Sequence, residues 1–392
     1  MKPIRILHVL GAMNYGGVET WLMHVLRHLD RESFRTDLLV HTDKPAAYDN
    51  EVLSLGSRIL RFPHWENPIL YARRFLLLVE RNGPFDVVHS HVHHFSGLVL
   101  ALGRIAGIPV RIAHSHNDTS SLAMRANFGR AVYLRFSRLL IAANCTHGVA
   151  VSRPAAAALF GPDWQNDSRF QVLHCGIDPA PGDAQPSAAS VRAEFGFSSQ
   201  DVVFGHVGRF DPQKNHQFLL ETAAEIRKIE PRAKYLLVGD GPLRPEMEAQ
   251  SRALGLQGCT VFAGTRADVA RLMTSAMDLL LFPSLHEGLP LVLLEAQATG
   301  LASLVSEGIP PEVVIHPTLV RHLRLSDGAH KWARVACDAV KEPRFTVRRA
   351  LDLFRSSPFG IDRCVERLCR TYREQIPSPT PRELHERGTT IG

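Results

Sequence analysis

No stretch of the 392-residue sequence reaches about 18 consecutive uncharged apolar residues, so no membrane-spanning helix is expected. The opening MKPIRILHVLGAMNYGG breaks its apolar run with Asn and Gly too early for a secretory signal. Cysteine is also scarce. The cysteines at 145, 175, 259, 337, 364 and 369 show neither CxxC spacing nor the density of a disulfide scaffold, which excludes a small stapled domain and a zinc ribbon. These absences predict a chain kept in the reducing cytoplasm. There is no low-complexity segment and no internal repeat of about 20–50 residues, so solenoids and propellers are excluded too.

What is present is ordinary globular material. Hydrophobic residues make up 45% and charged residues 21%, and the mean hydropathy is −0.06. The length argues for two domains at about 100–200 residues each. Lysine and arginine exceed the acidic residues by 45 − 39 = +6, with a pI near 9.1. That excess suits an anionic partner, which nucleotide phosphate, membrane lipid and nucleic acid would each satisfy.

Short β-branched runs alternate with helix-length segments from the first residues, the pattern of a parallel sheet with crossover helices. Strands are predicted at Ile4–Leu10, Thr36–Val40, Asp86–Ser90, Val110–His114 and Val149–Val151, and helices at Glu19–Leu29, Asn67–Arg81, Phe95–Ala106 and Ala123–Ala142. A proline-rich, polar stretch over 179–200 reads as a linker after a domain at 1–178. The alternation restarts over 201–360. Strands are predicted there at Val202–Val207, Ala233–Val238, Thr260–Phe262, Leu279–Phe282 and Ser303–Val305, and helices at His216–Ile229, Leu243–Leu254, Val269–Ser275 and Leu291–Thr299. An amphipathic helix at 361–376 and a proline-bearing flexible tail at 377–392 close the chain.

Ligands of open parallel sheets bind beyond the carboxyl ends of the strands, so the residues after each strand are where chemistry is sought. The first strand is followed by Gly16-Gly17-Val-Glu19 at the start of a helix, where backbone N–H groups could approach an anion or simply make a tight turn. It is not a GxGxxG, which argues against a dinucleotide-dependent dehydrogenase. His89, His91, His93 and His94 follow one strand and His114 and His116 the next. A metal site is one reading of these histidines. Against it, no Cys or carboxylate stands at a matching spacing, and neutral imidazoles commonly hydrogen-bond backbone or substrate hydroxyls.

In the second half, Gly208-Arg209-Phe-Asp-Pro-Gln-Lys214 sets two cations after a strand, able to offset a diphosphate without a metal ion or simply to be solvated. Glu287-Gly288-Leu-Pro290 then leads into an apolar helix carrying Glu295. A carboxylate there is costly unless it accepts hydrogen bonds, which sugar or ribose hydroxyls can donate. The two glutamates could also be a glycosidase acid and base, but at a phosphate-binding helix end donor recognition fits better.

Together, EGLPLVLLEAQATG, Gly208-Arg209 with Lys214, Gly16-Gly17-Val-Glu19, Cys175-Gly176-Ile-Asp178 and Val238-Gly-Asp-Gly-Pro242 resemble the retaining GT-B glycosyltransferases of family 4, from Ile4 to about Gln375. The segments GGVETWLMHVLRHLD, VHSHVHHFSG, RIAHSHND and SDGAHKWARV resemble its exopolysaccharide-biosynthesis branch. Two departures are SEGIPPEVVIHPTLVRHL in place of a glycine-rich loop, and Cys175 in place of the usual Asn.

The resemblance implies two Rossmann-like, doubly wound domains facing across a cleft, an N-terminal acceptor-side domain and a C-terminal nucleotide-sugar-binding domain, with the last helix crossing back. It implies that Arg209 and Lys214 hold the donor diphosphate, Gly16 and Gly17 close on it, Glu295 binds the ribose, Glu287 contacts the transferred sugar and Gly288 offers backbone donors. His116 matches the family histidine near that sugar, with His114 beside it. No DxD is present, in keeping with a metal-independent reaction without cofactor. The implied activity is transfer of a sugar, a hexose by type, to a glycan or lipid-linked acceptor in cell-surface polysaccharide synthesis. The helix at 123–142 has Arg130, Arg135 and Arg138 within an arc of about 140°, a basic side without a clean apolar stripe, which could meet an anionic membrane on the inner face of the cell. Two alternatives are a hydrolysing nucleotide-sugar epimerase of the same architecture and a nucleic-acid binder. Dispersed basic residues without an aromatic-basic motif argue against the second.

Overall fold

The computed structural model describes residues 2–63, 65–117, 128–178 and 187–374. The start of the helix expected from residue 123, residues 179–186 of the proline-rich stretch and the flexible tail lie outside the described residues. The chain divides into two compact units. One gathers Met1–Asn14, Val25–Leu173 and the chain from Cys364; the other gathers Tyr15–His24 and His174–Arg363.

To Val172 the described elements are β1 (Ile4–Leu10), α1 (Gly17–His28), β2 (Phe34–Val40), α2 (Asp49–Ser54), β3 (Arg58–Arg61), α3 (Pro68–Asn82), β4 (Val87–Ser90), α4 (Ser96–Ile105), β5 (Val110–Ser115), α5 (Phe128–Asn144), β6 (His147–Ala150), α6 (Arg153–Phe160) and β7 (Phe170–Val172). They form a parallel sheet of order β3-β2-β1-β4-β5-β6-β7. Local chemistry starts the helices. Asn67 accepts from the backbone N–H groups of Ile69 and Leu70, and Pro68 fills the first turn of α3, where no N–H is needed. Leu7 and Val9 of β1 pack with Phe75, Val88 and Leu100 in one core cluster, as expected of strands covered on both faces.

The remaining elements are α7 (Ala188–Ala193), β8 (Val202–Val207), α8 (His216–Ile229), β9 (Ala233–Val238), α9 (Arg244–Ala253), β10 (Thr260–Gly264), α10 (Val269–Ser275), β11 (Leu279–Phe282), α11 (Leu291–Ala298), β12 (Ser303–Ser306), β13 (Val320–Leu323), α12 (Gly328–Ala339), α13 (Val347–Ser356) and α14 (Ile361–Arg373). Their parallel sheet has the order β10-β9-β8-β11-β12-β13. Phe204, Tyr235, Leu281 and Trp332 belong to its core. In each sheet the strand order reverses once, between β1 and β4 and between β8 and β11, which marks the crevice where α/β folds bind ligands.

Several elements go beyond the sequence reading. The edge strands β3 and β13 and the near-edge helix pair α12 and α13 were not anticipated, nor was the short edge strand β7. Helix α7 falls within the stretch read as linker; Ser187 caps it by accepting from the N–H of Ser190. No helix among the described residues is long and apolar enough to cross a membrane. All six cysteines are buried and none forms a disulfide.

Candidate functional site

In the second unit, the loops after β8, β9 and β11 meet. The N–H of Gly208 donates to Val238 O at 2.9 Å and that of Phe210 to Asp240 O at 3.0 Å. The approach is so close that a Cβ on Gly239, whose φ is +137°, would lie 2.0 Å from Gly208 O. Asp211 accepts from the backbone N–H of Lys214 and caps a short helical turn over Pro212–Lys214. That turn brings Lys214 to the β11 loop, where its Nζ donates to Glu287 Oε1 at 2.6 Å. Gln213 Nε2 donates to Glu287 Oε2 at 3.2 Å and to His286 O at 2.9 Å. Glu287 is only 8% exposed, and the backbone on either side is fixed by Leu285 N–H to Gln213 O and Glu287 N–H to Gly308 O. The sequence reading gave Lys214 and Glu287 separate ligand contacts; the structure joins them as a largely buried ion pair.

Arg209 is exposed at the end of β8. Its charge reaches Glu19, whose carboxyl is raised to about 7 by burial, partly opposed by a backbone hydrogen bond and by the Arg209 guanidinium. Glu19 folds back over the glycine turn, so that a Cβ on Gly16 would lie 2.4 Å from its Oε2. Gly16, Gly17 and Glu19 lie in Tyr15–His24, the segment grouped with Arg209 in the second unit. Glu19 was part of the motif in the sequence reading but had no role there; its burial beside a cation could not be read from spacing.

Pro290 precedes α11 and its carbonyl accepts from the N–H groups of Leu293 and Leu294. Gly288 lies in the loop two residues before it. Glu295 is the acidic residue of this otherwise apolar helix, and burial alone pushes its carboxyl up from 4.5 to about 7.

In the first unit a second group of side chains gathers at the carboxyl ends of β1, β4 and β5. His8 Nδ1 and His91 Nε2 are 3.0 Å apart, His91 Nδ1 and His116 Nε2 2.9 Å, and His89 Nε2 and His114 Nδ1 3.1 Å. His89 Nδ1 meets the Tyr372 hydroxyl at 2.9 Å. The rings of His114 and His116 stack with centroids 4.0 Å apart. Burial, with the neighbouring imidazoles adding to it, holds His89, His91 and His114 far below the usual imidazole range, and burial takes His116 down to about 3. Of the histidines singled out in the sequence, His93 and His94 pair with ring centroids 4.4 Å apart, and His93 acts electrostatically on His116. His8 and Tyr372 were missed. A histidine inside a β-strand carries no sequence signal of its own, although the parallel register sets His8 opposite His89.

A third feature is the outer face of α5. Leu134, Ser137, Ile141 and Asn144 are its buried residues, whereas Phe128, Phe136 and Leu139 are 86%, 58% and 60% exposed. At about 100° per residue, Phe128, Val132, Phe136 and Leu139 fall within an arc of about 80° opposite the buried face. This is an apolar stripe that the reading of a basic side had not isolated. Arg138 is not part of a free basic surface, since its guanidinium donates to Ala158 O at 2.9 Å.

Comparison with known proteins places both units in one context. Residues 15–181 match the profile described as Glycosyltransferase Family 4, and residues 201–338 the one described as Glycosyl transferases group 1. The chain is 37% identical over 345 residues to EpsF of Bacillus subtilis, provisionally named a glycosyltransferase, covering 87% of this chain and 88% of that protein. It is 27% identical over 316 residues to the Escherichia coli UDP-Gal:α-D-GlcNAc-diphosphoundecaprenol α-1,3-galactosyltransferase, covering 78% and 80%. Among solved structures, Anabaena HepE in complex with UDP-glucose superposes with a TM-score of 0.76 at 18% identity, covering 95% of this chain and all of the other.

Two outcomes follow from the second unit. Lys214→Met leaves the Glu287 carboxylate buried without its cation and is expected to cost about 3 kcal/mol, read by denaturant unfolding at pH 7. Adding Glu287→Gln to Lys214→Met should recover most of that loss; a double variant no more stable than the single would show that the pair is not what is being lost. For Glu295, the folded state keeps a proton up to about pH 7 while the unfolded chain releases it near 4.5, so stability falls as pH rises through that window and stays reduced above it. Glu295→Gln is therefore expected to raise the thermal midpoint at pH 8 and to change it little at pH 4.5.

Proposed function

The chain belongs to glycosyltransferase family 4, as a retaining enzyme of the GT-B type, and from that premise we propose that it transfers a sugar from a uridine-diphosphate sugar to a glycan or lipid-linked acceptor in cell-surface polysaccharide synthesis. The observation that carries the donor half of this reading is the set of charges on the β8 and β11 loops, with Arg209 exposed and Lys214 tied to Glu287. Departure of the nucleoside diphosphate builds negative charge on the phosphate while the sugar acquires oxocarbenium character, and fixed cations at the phosphate favour that change. Arg209 is suited to a forked contact with phosphate oxygens. Lys214 adds a point charge, and its partner Glu287 offers acceptor oxygens to sugar hydroxyls.

Glu295 takes the ribose in this reading. Its raised pKa supports the assignment, since two hydroxyls donating to the carboxylate would supply what burial has removed. Gly16 and Gly17 supply close backbone approach to the diphosphate and Gly288 a backbone donor. His116 stands beside the transferred sugar, its Nε2 held by His91. The acceptor half rests on the E. coli relative, whose named acceptor is a diphosphoundecaprenol-linked sugar, and on the resemblance to the exopolysaccharide branch. Retention proceeds by front-face attack, with the leaving phosphate taking the acceptor proton, so no side chain is assigned as general base.

The enzyme assay uses a panel of UDP-sugars with and without undecaprenyl-diphosphate-linked acceptors. Product should form only with both substrates, whereas conversion of the donor alone would favour the epimerase. Arg209→Ala is expected to lower kcat/KM about 100- to 1,000-fold, and an unchanged rate would remove Arg209 from the diphosphate site.

A lipid-linked acceptor lies at a membrane surface, and the α5 stripe supports contact with one through its apolar face. Phe136→Ser together with Leu139→Ser is expected to lower binding to anionic vesicles more than tenfold in flotation. Equal binding by this variant would place the contact elsewhere.

A further inference from the structure

The imidazoles at the carboxyl ends of β1, β4 and β5 have no assigned role apart from His116. We propose that His91, His114 and His116 bind a borderline transition-metal ion, such as Zn²⁺. Their ligand atoms all lie within 4.8 Å of one another. A tetrahedral ion with Zn–N bonds of about 2.0–2.1 Å spaces its ligand nitrogens about 3.4 Å apart. The 2.9 Å between His91 Nδ1 and His116 Nε2 therefore needs to open by only a few tenths of an ångström. The donor set is neutral nitrogen without a carboxylate, which selects zinc, copper or nickel over magnesium and calcium. It lies in the other unit from Arg209 and Lys214 and is independent of how those residues treat a diphosphate.

The surrounding groups are those a metal site uses to orient its ligands. His91 Nε2 is held by His8 Nδ1 at 3.0 Å, and His114 Nδ1 by His89 Nε2 at 3.1 Å. His89 is held in turn by the Tyr372 hydroxyl. His8, His89 and His91 also form a compact triad, but His8 and His89 are completely buried and give an ion no entry. His91 is the partly exposed member of both triads, and the triad proposed here adds His116, which is followed by the exposed Asn117.

The test is zinc binding by the tag-free full chain after chelator treatment, in competition with a chromogenic chelator. One equivalent should bind with a Kd of about one micromolar or tighter. His91→Ala and His116→Ala, each checked for a native circular dichroism spectrum, should weaken it at least about 100-fold. X-ray absorption of the zinc-loaded wild-type protein, which does not depend on the variants folding, should find three imidazole nitrogens at about 2.0 Å. Less than one equivalent at micromolar zinc, an affinity unchanged in both variants, or fewer than three imidazoles in the absorption spectrum would overturn the proposal.

Discussion

Glu287 holds a carboxylate almost out of water, and the loops around it are arranged to make that tolerable. An ionised group of this kind is strongly unfavourable in an apolar setting unless it is paired and hydrogen-bonded. Lys214 and Gln213 satisfy its two oxygens. Both come from the turn that Asp211 caps, so the end of β8 and the end of β11 are locked in register by one carboxylate. The close packing of Gly239 and Gly241 against Gly208 and Phe210 ties the β9 loop to the same point. The crevice at the strand-order reversal is thus shaped before any ligand arrives, which is what positioning catalysis requires.

The same constraint has other solutions nearby. Glu19 and Glu295 are half-buried without a partner of the Lys214 kind, and both have carboxyls raised to about 7. Near neutral pH each is poised between neutral and charged forms, and a ligand supplying hydrogen-bond donors or positive charge would draw it to the anion. The first unit solves the problem with no charge at all. Its gathered imidazoles are neutral, each able to donate from one nitrogen and accept at the other, and they link into chains running from Tyr372 to His114 and from His8 to His116.

Much of this was legible from the sequence because it depends on strand ends. The strands β1, β8, β9 and β11 follow from short, largely apolar runs, and the residues after them include Arg209, Lys214 and Glu287. Edge strands were harder. The β3 segment, Arg-Ile-Leu-Arg, is exposed at both ends and half-buried between, so it carries neither a core run nor clean alternation. Helices α12 and α13 follow β13, and with that edge strand unrecognised the alternation that predicts a helix was lost. Pairings across long sequence separations were beyond reach: nothing local says that Lys214 neutralises Glu287, 73 positions away, or that Tyr372 meets His89.

The net charge changes meaning once partners are known. Arg5 and Arg58 both pair with Asp37, Arg61 with Asp49, Arg192 with Asp278, and Arg266 and Arg271 with Asp268. These arginines stitch elements together and contribute little outward field, so a pI of 9.1 is weak evidence for a basic docking face. On α5 the balance shifts the same way. Burying a Phe or Leu side chain yields about 1.5–3 kcal/mol, against about 1 kcal/mol for an arginine near an anionic surface. With Arg138 engaged by a carbonyl and Phe128, Phe136 and Leu139 facing outward, the membrane contact proposed for this helix rests on apolar burial more than on its arginines.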